Sequence, residues 1–73
     1  MRTIEVFKTN VVKKQAAKMI LKEIGIQQPK YKCNFDLEDC DKILRVESEN
    51  GIIDSQLIFT ILEKNNQEGT VLE

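Results

Sequence analysis

The amino-acid sequence predicts one α+β domain over residues 1–73, with strands and helices in the order β-α-β-β-α-β. Residues 30–47 alternate apolar and polar side chains with the period of 2 that is typical of half-buried strands. Two further segments, residues 13–24 and 54–62, repeat apolar residues at helical spacing. A two-stranded hairpin is marginal alone in water, so we expect the two helices to cover its apolar face.

The first strand and helix are predicted over residues 3–8 and from Asn10 onward. In the strand, Phe7 is expected on the face opposite Ile4 and Val6, and it is the one aromatic residue of the sheet considered for an outward position. Asn10 is a suitable helix cap because its side-chain oxygen can accept hydrogen bonds from first-turn N–H groups. The helix then buries a stripe that consists of Ala17, Ile20, Leu21 and Ile24.

Two residues are predicted to end this helix. Gly25 fits the left-handed position after the last turn, with Ile26 as its apolar contact. Pro29 prevents the helix from resuming.

The central hairpin follows, with an acidic turn between its strands. The apolar positions expected on the covered face are Tyr31, Cys33, Phe35, Leu37, Leu44 and Val46. The turn region carries four acids, Asp36, Glu38, Asp39 and Asp41. Residues 48–51 are predicted to form a loop.

The second helix is predicted to begin after Asp54, which is its expected cap. Phe59 is expected to point outward, and a short last strand is expected over residues 70–72. The buried stripe of this helix is predicted to be Leu57, Ile58, Ile61 and Leu62.

Chain topology follows from this order of elements. Right-handed crossovers place the first strand beside the third, which gives a four-stranded antiparallel sheet of order 4-1-3-2 with both helices on one face, a ferredoxin-like sandwich. This arrangement is expected to bring residues 8–14, 38–41 and 64–69 to the same end of the sheet.

Composition argues against several classes of function. The chain of 73 residues has a formal net charge of −1, so it has no basic footprint for nucleic acid. It contains no apolar run of the ~18 residues that a membrane span needs, and no apolar segment of a secretory signal at its start. It has no histidine, which removes the commonest general base and metal ligand, and no catalytic residue is assigned. Two cysteines suggest the cytoplasm rather than a disulfide scaffold.

Two groups of side chains are alternatives for a metal or redox role. Cys33 and Cys40 could form a pair, although Cys33 is expected to be a buried apolar residue and Cys40 to be exposed at the turn. The acidic turn could bind a hard cation through its oxygens, but an acidic hairpin tip more often protects a sheet edge from pairing.

Lysines cluster around the start of the first helix. Lys8, Lys13, Lys14 and Lys18 lie near its N-terminus, where free N–H groups and the helix dipole favour anions. A phosphate or a carboxylate of a partner is the ligand that this cluster suits, although a charged helix face commonly contacts only water.

The segments YKCNFDLEDCDKILRVESEN, IIDSQLIFTILEKN and TVLE together resemble the heavy-metal-associated domains of copper chaperones and of metal-pumping ATPases. The resemblance covers nearly the whole chain, and it implies the ferredoxin-like fold. Members of that family hold soft metal ions with a Met-x-Cys-x-x-Cys motif at the first strand–helix junction. Here the junction reads VFKTNVVKKQ, with Asn10 and Lys13 at the two cysteine positions in the best register, or Val11 and Lys14 after a one-residue slip. An ammonium group has no lone pair to donate, so no metal ligand and no cofactor are assigned to the chain.

The sequence therefore predicts a small, non-enzymatic interaction or regulatory domain on a heavy-metal-associated scaffold that has lost metal binding. Its expected partner is another protein, with no nucleic acid and no membrane span. The open sheet face is a second candidate surface, and metal handling through the cysteines or the acidic turn is the alternative function. The predicted interaction or anion surface at the loop end consists of Lys8, Asn10, Lys13, Lys14, Asp39 and Asp41.

Overall fold

The structure, a computed structural model, describes residues 2–49 and 51–72. Asn50, in the loop expected before the second helix, lies outside the described residues. Within them the chain has the predicted α+β order, and its four strands and two helices are β1 (Thr3–Thr9), α1 (Lys14–Gln27), β2 (Tyr31–Asp36), β3 (Ile43–Ser48), α2 (Ser55–Lys64) and β4 (Gly69–Val71).

The four described strands form one open antiparallel sheet. β1 pairs with β3 on one side and with β4 on the other, and β2 pairs with β3. The order across the sheet is β2-β3-β1-β4, which is 4-1-3-2 when counted from β4. The predicted hairpin is thus present as β2 and β3, and the last strand is present one residue earlier than expected.

The register of the strands creates one apolar face. Phe7 lies opposite Leu44, and Leu44 lies opposite Phe35 on its other side. The core unites this face with buried side chains of both helices, and its fully or nearly fully buried members are Phe7, Val11, Ala17, Ile20, Ile24, Leu44, Val46, Ile58, Ile61 and Leu62. Both helices therefore pack on the same apolar face of the sheet.

Two aromatic residues are more buried than the sequence predicted. Phe7 has no exposed surface, so its expected outward position is wrong. The cause is the register, since residues directly opposite each other in a sheet share a face and Phe7 is paired with the buried Leu44. Phe59, also expected outward, is half-buried and meets Phe7 edge to face, with ring centroids 5.7 Å apart. This contact joins α2 to the centre of the sheet.

Both predicted ends of α1 are wrong. The helix begins at Lys14, with Lys13 in the cap position and no capping hydrogen bond from its side chain. At the other end the helix runs through Gly25 to Gln27, and the N–H of Gln28 donates to the carbonyl of Ile24 at 2.7 Å. Pro29 is the effective stop, because proline disfavours helical conformation in the residue before it.

Helix α2 agrees closely with its prediction. The carboxylate of Asp54 accepts a hydrogen bond from the N–H of Leu57 at 3.2 Å, which confirms Asp54 as the cap. The N–H of Asp54 in turn donates to the hydroxyl of Tyr31 at 2.9 Å, so β2 contacts the start of the helix. Ile58, Ile61 and Leu62 are completely buried.

Substitutions in α2 should distinguish the contribution of the helix cap to stability from that of the core. We expect Asp54→Ala to lower the free energy of unfolding by ~1 kcal/mol through loss of the cap. Leu62→Ala should lower it by ~2–5 kcal/mol, because a fully buried side chain leaves a cavity. The exposed Gln56→Ala is the control and should change it by less than about 0.5 kcal/mol. Denaturant unfolding measures all three, and a harmless Leu62→Ala would contradict the assignment of the core.

Candidate functional site

Three loops meet at one end of the sheet, and hydrogen bonds of the backbone and of the Thr9 and Asn10 side chains hold them together. The N–H of Thr9 donates to the carbonyl of Asp41 at 3.1 Å, and the hydroxyl of Thr9 donates to the carbonyl of Lys42 at 2.6 Å. These two bonds tie the end of β1 to the β2–β3 turn. We call this region the loop end, comprising residues 8–14, 38–42 and 64–69.

Asn10 has a different role from the predicted helix cap. Its side-chain oxygen accepts a hydrogen bond from the N–H of Glu68 at 2.8 Å, and its own N–H donates to the carbonyl of Glu68 at 3.2 Å. Asn10 therefore clamps the segment after β1 to the segment before β4. Its amide oxygen is already used by this clamp, so the residue contributes to the shape of the loop end.

The predicted lysines and acids of the loop end fall into two groups. Lys8 and Asp41 form an ion pair, with 3.6 Å between the ammonium nitrogen and a carboxylate oxygen. Asp39 is exposed, and its carboxylate accepts a hydrogen bond from the N–H of Asp41 at 2.9 Å. In contrast, Lys13 and Lys14 are exposed at the start of α1, without a carboxylate in ion-pair contact within residues 2–49 and 51–72.

The basic surface continues from the start of α1 along the helix to Lys22. Lys18 and Lys22 are also exposed, and neither forms an ion pair with any described residue. Residues four apart lie on the same side of a helix, so Lys14, Lys18 and Lys22 form a continuous row. This spacing was visible in the sequence, but only the structure shows that no described carboxylate forms an ion pair with the row. We call Lys13, Lys14, Lys18 and Lys22 the α1 lysines.

The β2–β3 turn gathers three potential metal ligands. One donor atom from each of Asp39, Cys40 and Asp41 lies within 4.8 Å of the others. Two of these donors have other partners, because Asp39 accepts from the N–H of Asp41 and Asp41 is paired with Lys8. A bound cation would compete with the Lys8 ammonium group for Asp41.

The two cysteines differ in their surroundings, although Cys33 is less buried than predicted. Both thiols are free, and Cys40 is exposed whereas Cys33 is half-buried beside the core. Burial raises the pKa of Cys33 to about 11, because an apolar environment disfavours the charged thiolate. Cys33 therefore suits packing better than metal or redox chemistry, both of which use the thiolate.

A shallow groove of about 880 Å³ lies between α2 and β4. Sequence reasoning missed it, because it depends on how the last strand packs beside α2. The half-buried Phe59 forms part of its wall, with Glu63 one helical turn further along α2. Glu68, Gly69 and Thr70 border the groove on the side of the strand.

In comparisons with protein-family models, curated proteins and solved structures, no significant match to this chain was found. Neither of the helices in the described part of the chain is long and apolar enough to cross a membrane.

Alkylation should distinguish the two cysteines. At neutral pH we expect iodoacetamide to label Cys40 well before Cys33, because Cys33 is shielded and its thiolate is scarce. The rate at Cys33 should rise with pH up to about 11, as the thiol deprotonates. Mass spectrometry of timed samples measures both rates, with denatured protein as the control. Equal labelling of the folded protein would contradict the assigned burial.

The first strand–helix junction should not bind Cu(I) or Zn²⁺. Such binding needs converging soft donors, whereas Asn10 offers a neutral amide and Lys13 a positive charge. NMR amide shifts on adding Cu(I) under reducing conditions test this, with Cys40→Ser as the background that removes the exposed thiol. Stoichiometric shifts confined to residues 8–14 would refute the prediction.

Proposed function

We propose that this chain is a non-enzymatic protein-interaction or regulatory module that binds an acidic partner. The observation that carries the proposal is the row of exposed α1 lysines without ion-pair partners among the described residues. The scaffold in this proposal is ferredoxin-like and related to heavy-metal-associated domains, with a cytoplasmic location suggested by its free thiols.

Charge is unevenly distributed among the lysines of the domain. Lys8, Lys32 and Lys64 each lie within 3.6 Å of a carboxylate oxygen, so their charges are locally balanced. The α1 lysines are unbalanced even though the whole chain has a formal net charge of −1. Such a patch attracts an oppositely charged surface and speeds its approach.

Apolar side chains accompany the lysines on the exposed side of α1. Met19 is 57% exposed and Ile26 is 69% exposed. They are seven residues apart, so they lie on one side of the helix, and Lys22 lies between them. On a protein contact surface, apolar groups that become buried supply affinity and charges around them supply orientation.

The loop end supports the same surface by fixing the start of α1. The Asn10–Glu68 clamp and the bond from Thr9 to Asp41 hold the segment before the helix. A contact surface that is ordered before binding loses less conformational entropy when its partner arrives. Lys13 and Lys14 therefore follow a segment that is already held in place.

Metal handling is the second candidate, and the cluster of Asp39, Cys40 and Asp41 is the observation that favours it. A thiolate with two carboxylates is a donor set that Zn²⁺ accepts. We rank it second because a metal would have to displace the Lys8–Asp41 ion pair.

Affinity capture from cells of its source tests the interaction proposal. We expect the tagged domain to retain a defined set of proteins, and Lys18→Gln/Lys22→Gln to lose it. The matched control is Lys30→Gln/Lys32→Gln, which removes two exposed lysines from the β2 side. Retention should weaken as ionic strength rises, because exposed charges are screened by salt.

The experiment must distinguish binding through the α1 lysines from binding through exposed lysines in general. Equal loss of the captured proteins in both double variants, or undiminished capture by both, would contradict the proposed surface. A domain that is recovered with stoichiometric metal, removed by Cys40→Ser, would favour the second candidate instead.

A further inference from the structure

The outer edge of β4 presents backbone groups that pair with no described residue. β4 is an outermost strand of the described sheet, and the N–H of Leu72 donates to the carbonyl of Val6 at 2.8 Å. In antiparallel pairing, hydrogen-bonded positions alternate, so Thr70 and Leu72 direct their N–H and C=O groups toward β1. Gly69 and Val71 therefore direct theirs away from the sheet, where another strand could pair with them.

The two outermost strands of the sheet differ in charge. The β2 edge carries Lys32 and Asp36, and such charges discourage pairing with other chains. The segment of residues 69–72 has no charged side chain, and Val71 and Leu72 are 39% and 40% exposed. The β4 edge thus lacks the protection that the β2 edge has.

The groove beside this edge supplies an apolar contact. Phe59 lines the groove between α2 and β4 and is only half-buried, although its edge meets Phe7. Glu63 lies one helical turn from Phe59, or about 6 Å along the same side of α2. Residues i and i+2 of an extended peptide lie on one face, about 7 Å apart. One side chain can therefore reach Phe59 while the side chain two residues later reaches Glu63.

The unbalanced charge of the groove is negative. Glu63 and Glu68 line it, and neither forms an ion pair with any residue in the described ranges. Lys8, the lysine in its lining, is already paired with Asp41. A basic side chain is the complement that this groove accommodates.

We propose that the β4 edge binds an extended peptide segment as a fifth strand, with an apolar side chain against Phe59 and a lysine or arginine two residues away facing Glu63. Backbone pairing gives such a complex its affinity, and the two side chains give it selectivity. This site is separate from the α1 lysines and takes a ligand of opposite charge, so it goes beyond the proposed function and does not depend on it.

A second copy of the chain fits this edge less well. β4 has three residues, and two copies paired through β4 would bring the uncompensated Glu63 and Glu68 of each copy to the same interface. A short strand pair falls well below the roughly 1,200 Å² that stable interfaces bury. A peptide occupies the edge and the groove together without this repulsion.

Two capped heptapeptides of identical composition test the proposal by NMR titration of the labelled domain. Thr-Thr-Leu-Thr-Lys-Thr-Thr places leucine and lysine on one face of a strand, whereas Thr-Thr-Leu-Lys-Thr-Thr-Thr places them on opposite faces. We expect amide shifts in residues 69–72 and 59–63 with the first peptide, and about threefold weaker binding of the second, as loss of one exposed ion pair implies.

Variants of the domain identify the contacts. Val71→Pro removes an N–H that faces outward and should abolish binding while leaving the bond from Leu72 to Val6 in place. Glu63→Gln, at an exposed helix position that should not affect folding, should remove the difference between the two peptides. Glu38→Gln, in the β2–β3 turn outside the lining of the groove, is the charge-matched control and should preserve that difference.

Four results would overturn the proposal. The first is an absence of shifts at millimolar peptide, and the second is a set of shifts confined to α1. The third is sedimentation showing a concentration-dependent dimer that Val71→Pro disrupts, because the edge would then pair with a second copy. Equal binding of both peptides by the unmodified domain would overturn the assigned contacts with Phe59 and Glu63.

Discussion

The packing of two helices on the face that contains Phe7, Leu44 and Phe35 is the constraint on which the rest of this domain depends. These three residues lie side by side across β1, β3 and β2, so their burial fixes the register of all three strands. A slip of one residue would turn the apolar set toward water. The same register places Thr9 beside the β2–β3 turn and Asn10 beside the loop before β4. It also leaves the backbone N–H of Val71 pointing away from β1. The core therefore determines where both candidate surfaces lie.

Much of the fold was readable from local sequence patterns. The hairpin follows from alternation over residues 30–47, and α2 follows from the Asp54 cap and its apolar stripe. The predictions failed where contacts between residues far apart in the sequence determine the local structure. Asn10 has the chemistry of a cap, but Glu68, 58 residues away in sequence, uses its side chain. Gly25 resembles a helix end, yet one glycine costs a helix only ~1 kcal/mol, and the chain continues to the stop imposed by Pro29.

The candidate surfaces were less predictable than the fold. Sequence analysis grouped Lys8, Lys13 and Lys14 because they are close in the chain, but it cannot tell which ammonium groups find carboxylates. The structure separates them, since Lys8 pairs with Asp41 whereas Lys13 and Lys14 have no such partner among the described residues. The predicted strand order already leaves the last strand outermost, as the structure shows. The groove beside that strand could not be predicted, because it depends on how α2 brings Phe59 close to it.

The hydrogen bond between Tyr31 and Asp54 gives the domain a built-in optical reporter. Tyr31 is the only tyrosine of the chain, and the chain has no tryptophan, so ultraviolet emission above 300 nm arises from this one ring. Its hydroxyl accepts from the backbone N–H of Asp54 at the start of α2, while its ring packs against the core. Separation of α2 from the hairpin would change the solvation of both the ring and the hydroxyl. Fluorescence of the unlabelled protein therefore monitors the docking of this helix on the sheet.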